Sequence, residues 1–441
     1  MKKSKIKFQN NLKLFLFCFI CLTTFIISYF FKINLSNIFG QTELSEFLFQ
    51  YKIFTKDGGV VSDLATHWNY IEILRSDLKN LLFFKMGEDT NLINFPLHNI
   101  IFSQIYFLAD DIGIYLLFFF ILSLILPIIL YLNLRETYGE KFKSINITIC
   151  SLILILPAFQ YSAIWGNNHI TALIFFLTAT LFHIKLKKTN YENSKYITIS
   201  ILFLAAAAYT KQYYVFFFLF LFLEFFLKLN FKYFIKVSFF TFLLSIPGLL
   251  FLYKNPMLFT GLQRETTNFV SSVAVSSSIC FFYMLPFLLQ YIINTKYKIL
   301  EEIKKYFNLK TLILIIIIFI IFEFFFFYDG FIGGGVFLKL FFNLLNQKQI
   351  FYIISIFGII FIFYFTEKSA HQYFLSFLII TIFSTGFFIF QKYFEPMFLI
   401  IFLLYFDKQK IIKSLNKSNY FLIIYFSSYY LIVNYMYFLN L

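Results

Sequence analysis

Apolar runs of about 14 to 22 residues alternate with short polar stretches along nearly the whole chain, and a helix needs about 20 apolar residues to cross a bilayer core of about 30 Å. Runs near 12–31, 112–132, 145–159, 166–184, 196–210, 213–228, 234–253, 271–292, 311–328, 350–366, 370–389, 396–406 and 419–438 predict about 13 spans. Several runs fall short of 20 residues, which predicts tilted or broken helices. The run 96–109 stands apart. Were it to cross, every later basic loop would lie opposite the amino terminus, so it reads as an interfacial or re-entrant helix. The pattern predicts an all-α polytopic membrane protein with one transmembrane domain over 1–441. Its first external loop, 32–111, carries juxtamembrane or re-entrant helices, and a second external loop covers 254–270.

Composition points the same way: 60% of the residues are hydrophobic and 13% charged, where a soluble domain carries roughly a quarter charged. The net charge of +15 resides mainly in short loops. Lys2, Lys3, Lys5 and Lys7 place the amino terminus in the cytoplasm, and the basic loops 135–144, 185–195, 228–236, 293–310 and 407–418 then face the same side. The weakly basic connections 32–95, 160–169, 210–213, 254–270, 329–349 and 391–396 gather on the other. No continuous basic surface points to nucleic acid. Cys18, Cys21, Cys150 and Cys280 lie in apolar runs without ligand spacing, which speaks against a disulfide framework or a soft-metal site. The composition leans toward a bacterial plasma membrane, with the outer side facing periplasm or exterior.

Polar residues on that outer side carry the candidate chemistry. In the segment from Lys56 and Asp57 through Gly58, Gly59, Ser62 and Asp63 to His67, Trp68 and Asn69, the glycines allow a sharp turn. Asp63 and His67, four residues apart, then share one face of a following helix. Trp68 suits the membrane interface at that helix's start. A partly shielded Asp63 suits a general base acting on a hydroxyl. It equally suits a ligand for a divalent ion, magnesium or manganese, that holds a phosphate. Helix capping and surface polarity also explain the segment, and Asp57 is the rival acid.

His98 faces the same cavity or satisfies a carbonyl, and Asp110 and Asp111 close its short helix. Asn168 and His169, beside Tyr161 and Trp165, offer donors and an aromatic face to a sugar, although interfacial anchoring explains the aromatics nearly as well. Lys211 and Gln212 occupy a minimal turn, Arg264 the second external loop, and Lys392 and Tyr393 the connection 391–396. Cations here break the positive-inside pattern and fit a bound anion, so Lys211, Arg264 and Lys392 are expected to converge on one phosphate or diphosphate.

With these residues the chain resembles the membrane glycosyltransferases of the GT-C superfamily. The stretch from Ser62 and Asp63 to Trp68 and Asn69, followed by Asn94-Phe95-Pro96-Leu97-His98, is similar to the acidic-aromatic and Tyr-Pro-Pro-Leu pattern of polyprenyl-phosphate-sugar-dependent glucosyl and mannosyl transferases. Here Phe95 stands for the usual Tyr, one Pro follows, and a single acid replaces the pair of many relatives. The resemblance implies an active-centre acid at Asp63, a sugar donor linked to polyprenyl phosphate, and a glycan, lipid or protein acceptor. It implies direct displacement at the anomeric carbon with Asp63 as base and cations on the leaving phosphate. A cell-envelope polysaccharide polymerase or ligase and a transporter of a lipid-linked solute are the other classes the pattern admits.

Overall fold

The computed structural model describes residues 2–36, 60–76, 95–105, 111–254, 268–295, 308–328, 333–382, 389–415 and 419–439. These form two compact units: 1–218, 225–258 and 426–441 make the first, and 219–224 with 259–425 the second. Regular structure among the described residues is helical. Among the described residues, six helices are long and apolar enough to cross a membrane, or seven if a bent pair counts as one span. The chain is thus an all-α, multi-pass membrane protein.

The first unit runs through α1 (Lys2–Ser36), α2 (Val60–Ser76), α3 (Leu97–Ser103), α4 (Ile112–Ser123), α5 (Ile125–Tyr138), α6 (Lys143–Ile153), α7 (Pro157–Ile164), α8 (Asn168–Lys188) and α9 (Ser194–Ala208). Next come α10 (Val215–Lys228), whose middle belongs to the second unit, and α11 (Phe231–Lys254). Three of its starts are set by Asp or Asn: Asp111, Asn167 and Asn193 each accept a hydrogen bond from a backbone N–H of the turn they open. Helix α8 is mostly buried and packs on α5 and α9. Asn133 on α5 fastens it by donating to the Leu177 carbonyl at 3.0 Å, and Ser200 on α9 donates to the Ala179 carbonyl at 3.0 Å. In lipid such interhelical polar contacts and close packing hold helices together, since burial of apolar surface there drives nothing. At the lysine-rich end of α8, Lys188 pairs with Glu136 at 2.6 Å. Helix α11 instead exposes Phe239, Phe242, Leu249 and Leu250, as a lipid-facing helix does.

The apolar run 145–159 is not one continuous helix. Pro157 lacks an N–H and sits in the first turn of α7, and α6 and α7 meet at a bend of 60°. Leu154, Ile155 and Leu156 close the break with tightened bonds to residues three back, and the Gln160 amide donates to the Leu154 carbonyl at 2.8 Å. Pro247 lies inside α11, which continues through it. There the Gly248 N–H donates to the Tyr209 hydroxyl at 2.9 Å, which itself donates to the Leu244 carbonyl at 2.5 Å, so a side chain supplies what water cannot in lipid.

The second unit is built on α12 (Phe269–Asn294), largely buried, with α13 (Leu309–Phe325), the short α14 (Gly335–Phe337) running into a π-turn over Leu338–Leu344, α15 (Lys348–Phe365), α16 (Ala370–Thr381), α17 (Gln391–Phe394), α18 (Met397–Tyr405) and α19 (Lys408–Leu415). Helix α20 (Tyr420–Leu439) starts in this unit and ends in the first. Gly358 lets α15 lie against α12: a Cβ there would come within 2.1 Å of the Ser277 carbonyl oxygen.

Candidate functional site

A polar centre of the first unit forms where α2, α3, α4 and the start of α8 meet. Asp63 and His67 do lie on one helix, α2, with Asp63 half-buried and His67 4% exposed. Asn167 Nδ2 donates to Asp63 Oδ2 at 2.8 Å, while Asn167 Oδ1 caps α8 by accepting from the His169 N–H at 3.0 Å. One asparagine thereby ties the carboxylate to a helix N-terminus, where the helix dipole favours negative charge.

His98, on α3, is buried and its ring stands 5.1 Å from that of His67. Its tautomer follows from its neighbours. Tyr115 gives its hydroxyl proton to the Gly166 carbonyl at 2.9 Å, so at 3.1 Å its oxygen receives the Nε2 proton of His98. The Nδ1 lone pair then accepts from Thr171 Oγ1 at 2.9 Å. Burial first, then the nearby His67 and Lys211, hold His98 well below the ordinary histidine range, so the ring is neutral. Gly166, at φ +62°, permits the Tyr115 contact, because a Cβ would meet Tyr115 Cε1 at 2.5 Å.

A second set of contacts joins the start of α8 to the turn after α9. Asn168 Nδ2 reaches the Thr210 carbonyl at 3.4 Å, and the Tyr213 hydroxyl lies 2.9 Å from His169 Nδ1. Lys211 is buried and precedes the 3₁₀ turn Gln212–Tyr214; its charge acts on His98. The structure therefore brings Asp63, His67, His98, Asn168, His169, Lys211 and Gln212 into the same region of one unit. Lys392 and Tyr393 belong to the second unit, on α17, where both pack on the Phe390 ring. Beside them the buried Glu395 accepts from the Tyr283 hydroxyl, and Gln391 Nε2 donates to that hydroxyl at 3.0 Å. Asp57, Asp110 and Arg264 lie outside the described residues.

Three expectations change on contact with the structure. Trp68 is buried in the middle of α2 and donates to Glu72 Oε1 at 2.7 Å, so it is a packing residue rather than an interfacial anchor at a helix start. Asp111 does not end the short helix but caps α4. Trp165 is fully buried and Tyr161 offers its face to the Lys32 ammonium, 3.3 Å from the ring centroid, so these aromatics serve packing and a cation–π contact. Among the described residues no group of three or more His, Cys, Asp and Glu side chains is placed to hold a metal ion. Protein groups engage both nitrogens of His98 and Nδ1 of His67.

Residues that the sequence did not single out as site candidates complete the centre. Asn99, Tyr115 and Thr171 sit within or beside apolar runs, where nothing in the local pattern separates them from interfacial polarity. Asn167 carried a signal, an asparagine directly before a long apolar run, which is where an N-cap is expected. Protein-family models, curated proteins and solved structures contain no match to the chain.

Proposed function

We propose that the protein is a membrane glycosyltransferase of the GT-C type, with about 13 membrane crossings, in a bacterial inner membrane. It moves a sugar from a polyprenyl-phosphate donor to a glycan, lipid or protein acceptor on the non-cytoplasmic side. The observation that carries this reading is the half-buried Asp63 carboxylate, fixed by Asn167 in the same polar centre as the buried Lys211. A fixed carboxylate next to water-poor surroundings suits a base for an acceptor hydroxyl, and a buried ammonium suits the charge that develops on a departing phosphate. The acceptor oxygen forms its bond to the anomeric carbon as the carbon–phosphate oxygen bond breaks. The hydroxyl proton goes to Asp63 and the bond electrons leave with the phosphate. A donor built on a lipid phosphate supplies an activated sugar where cytosolic sugar nucleotides do not reach.

Transfer from a radiolabelled polyprenyl-phosphate hexose in proteoliposomes tests the reading. The native protein is expected to form labelled glycan, and Asp63→Asn to lose about 10²-fold or more in rate. Unchanged turnover by Asp63→Asn would remove the acid from the reaction, and donor movement across the bilayer without bond formation would favour a transporter.

A further inference from the structure

Helix α19, in the second unit, divides its side chains between two faces. Ile411 and Leu415, one turn apart, are buried together with Ser414, whereas Lys408, Gln409 and Lys413 are exposed. Its 8 residues make about 12 Å of helix, far too little to cross a bilayer core of about 30 Å.

The two ends of α19 fix how it lies. At its start the Asp407 N–H donates to the carbonyl of Phe365, the last residue of α15, at 2.8 Å. The Asp407 carboxylate caps the helix by accepting from the Gln409 and Lys410 N–H groups at 2.9 and 3.2 Å. At the other end Asn294, the last residue of α12, donates Nδ2 to the Lys413 and Ser414 carbonyls at 3.0 and 3.1 Å. One amide thereby satisfies two of the carbonyls that a helix leaves open at its end. Both α12 and α15 are long and apolar enough to span a membrane. A short amphipathic helix pinned between the ends of two such helices lies along the membrane surface.

The lysines of α19 divide with its faces. Lys410 turns to the protein: its Nζ lies 3.5 Å from Asp407 Oδ2, donates to the Tyr364 carbonyl and stands 4.4 Å from the centroid of that ring. Asp407 offsets the charge of Lys410 locally. Lys408 and Lys413 are carried on the outward side, with Ile412 partly exposed between them.

We propose that α19 is an interfacial helix whose Lys408 and Lys413 bind the phosphate head groups of acidic phospholipids. Ile411 and Leu415 hold the helix to the protein, so its attraction to lipid is electrostatic and weakens with salt. By the positive-inside reading of the loop 407–418, the surface it meets is that of the cytoplasmic leaflet. No group of the Asp63 centre enters this assignment, which stands apart from the glycosyl-transfer reading.

A bimane fluorophore on a single cysteine at Gln409 reports on the outward face, in full-length protein whose four native cysteines are changed to serine. In phosphatidylcholine liposomes, spin-labelled phosphatidylglycerol is expected to quench it more strongly than spin-labelled phosphatidylcholine. That preference is expected to shrink between about 0.01 M and about 1 M salt. Lys408→Gln with Lys413→Gln is expected to weaken the affinity for phosphatidylglycerol about 30-fold, roughly fivefold for each lysine. Lys195→Gln with Lys232→Gln removes the same charge from exposed lysines of the first unit and is expected to leave the preference intact. Equal quenching by the two lipids, quenching by neither, or an equal effect of the two variant pairs would overturn the proposal. So would loss of the preference in inorganic phosphate beyond that in sodium chloride of equal ionic strength, since the lysines would then hold a free anion.

Discussion

His98 shows how a single side chain reports on its surroundings. Burial and the neighbouring His67 and Lys211 favour its neutral form, so folding must exclude a proton that the unfolded chain accepts near pH 6.5. Above about pH 6.5 neither state binds that proton and stability is at its plateau. As the pH falls below that value only the unfolded state takes it up, and stability declines by at most about 1.4 kcal/mol per pH unit until the folded ring also titrates. Thermal unfolding in detergent is expected to show a midpoint that drops between about pH 7 and pH 5, with a shallower slope in His98→Gln. An identical slope in the variant would show that His98 does not carry the effect. Little of this was legible beforehand. The i, i+4 spacing of Asp63 and His67 was enough to place both on one face. The tautomers depend on Tyr115, Thr171 and Asn99, which reach the centre from other elements.

At the scale of elements, polar and conformationally special residues decide where helices start, break and touch. Asp111, Asn167, Asn193, Asn268 and Asn308 cap helices, and such residues can be read directly from a sequence. The break at Pro157 is legible in the same way, since a proline inside an apolar run marks a boundary. Close helix contacts are not, because they depend on which faces meet. Gly358 is one such case: Gly358→Ala sets a methyl group 2.1 Å from the Ser277 carbonyl oxygen, a backbone atom that cannot rotate away. That substitution is expected to destabilise the second unit by about 1–3 kcal/mol, read as a lower unfolding midpoint or loss of folded protein in detergent. A midpoint equal to that of the native protein would show that α12 and α15 separate at little cost.

For the whole molecule, hydropathy alone identified a helical multi-pass membrane protein, because only helices and closed barrels satisfy the backbone in lipid and continuous apolar runs of this length fit helices. Span number resisted the same reasoning. Runs such as 396–406 and 196–210 form helices of 9 and 15 residues, shorter than a straight crossing, and helix length depends on caps and breaks that hydropathy averages away. Sidedness is the property on which the functional reading turns, since Asp63 and the turn holding Lys211 must open to one non-cytoplasmic chamber. Single cysteines at Asp63, Gln212 and Lys188, placed in a protein whose four native cysteines are replaced by serine, would be labelled with a membrane-impermeant maleimide from each face of oriented vesicles. Positions 63 and 212 are expected to react from the outside and 188 from the cytoplasmic side only. Reaction of 63 and 212 from opposite faces would contradict a shared reaction centre.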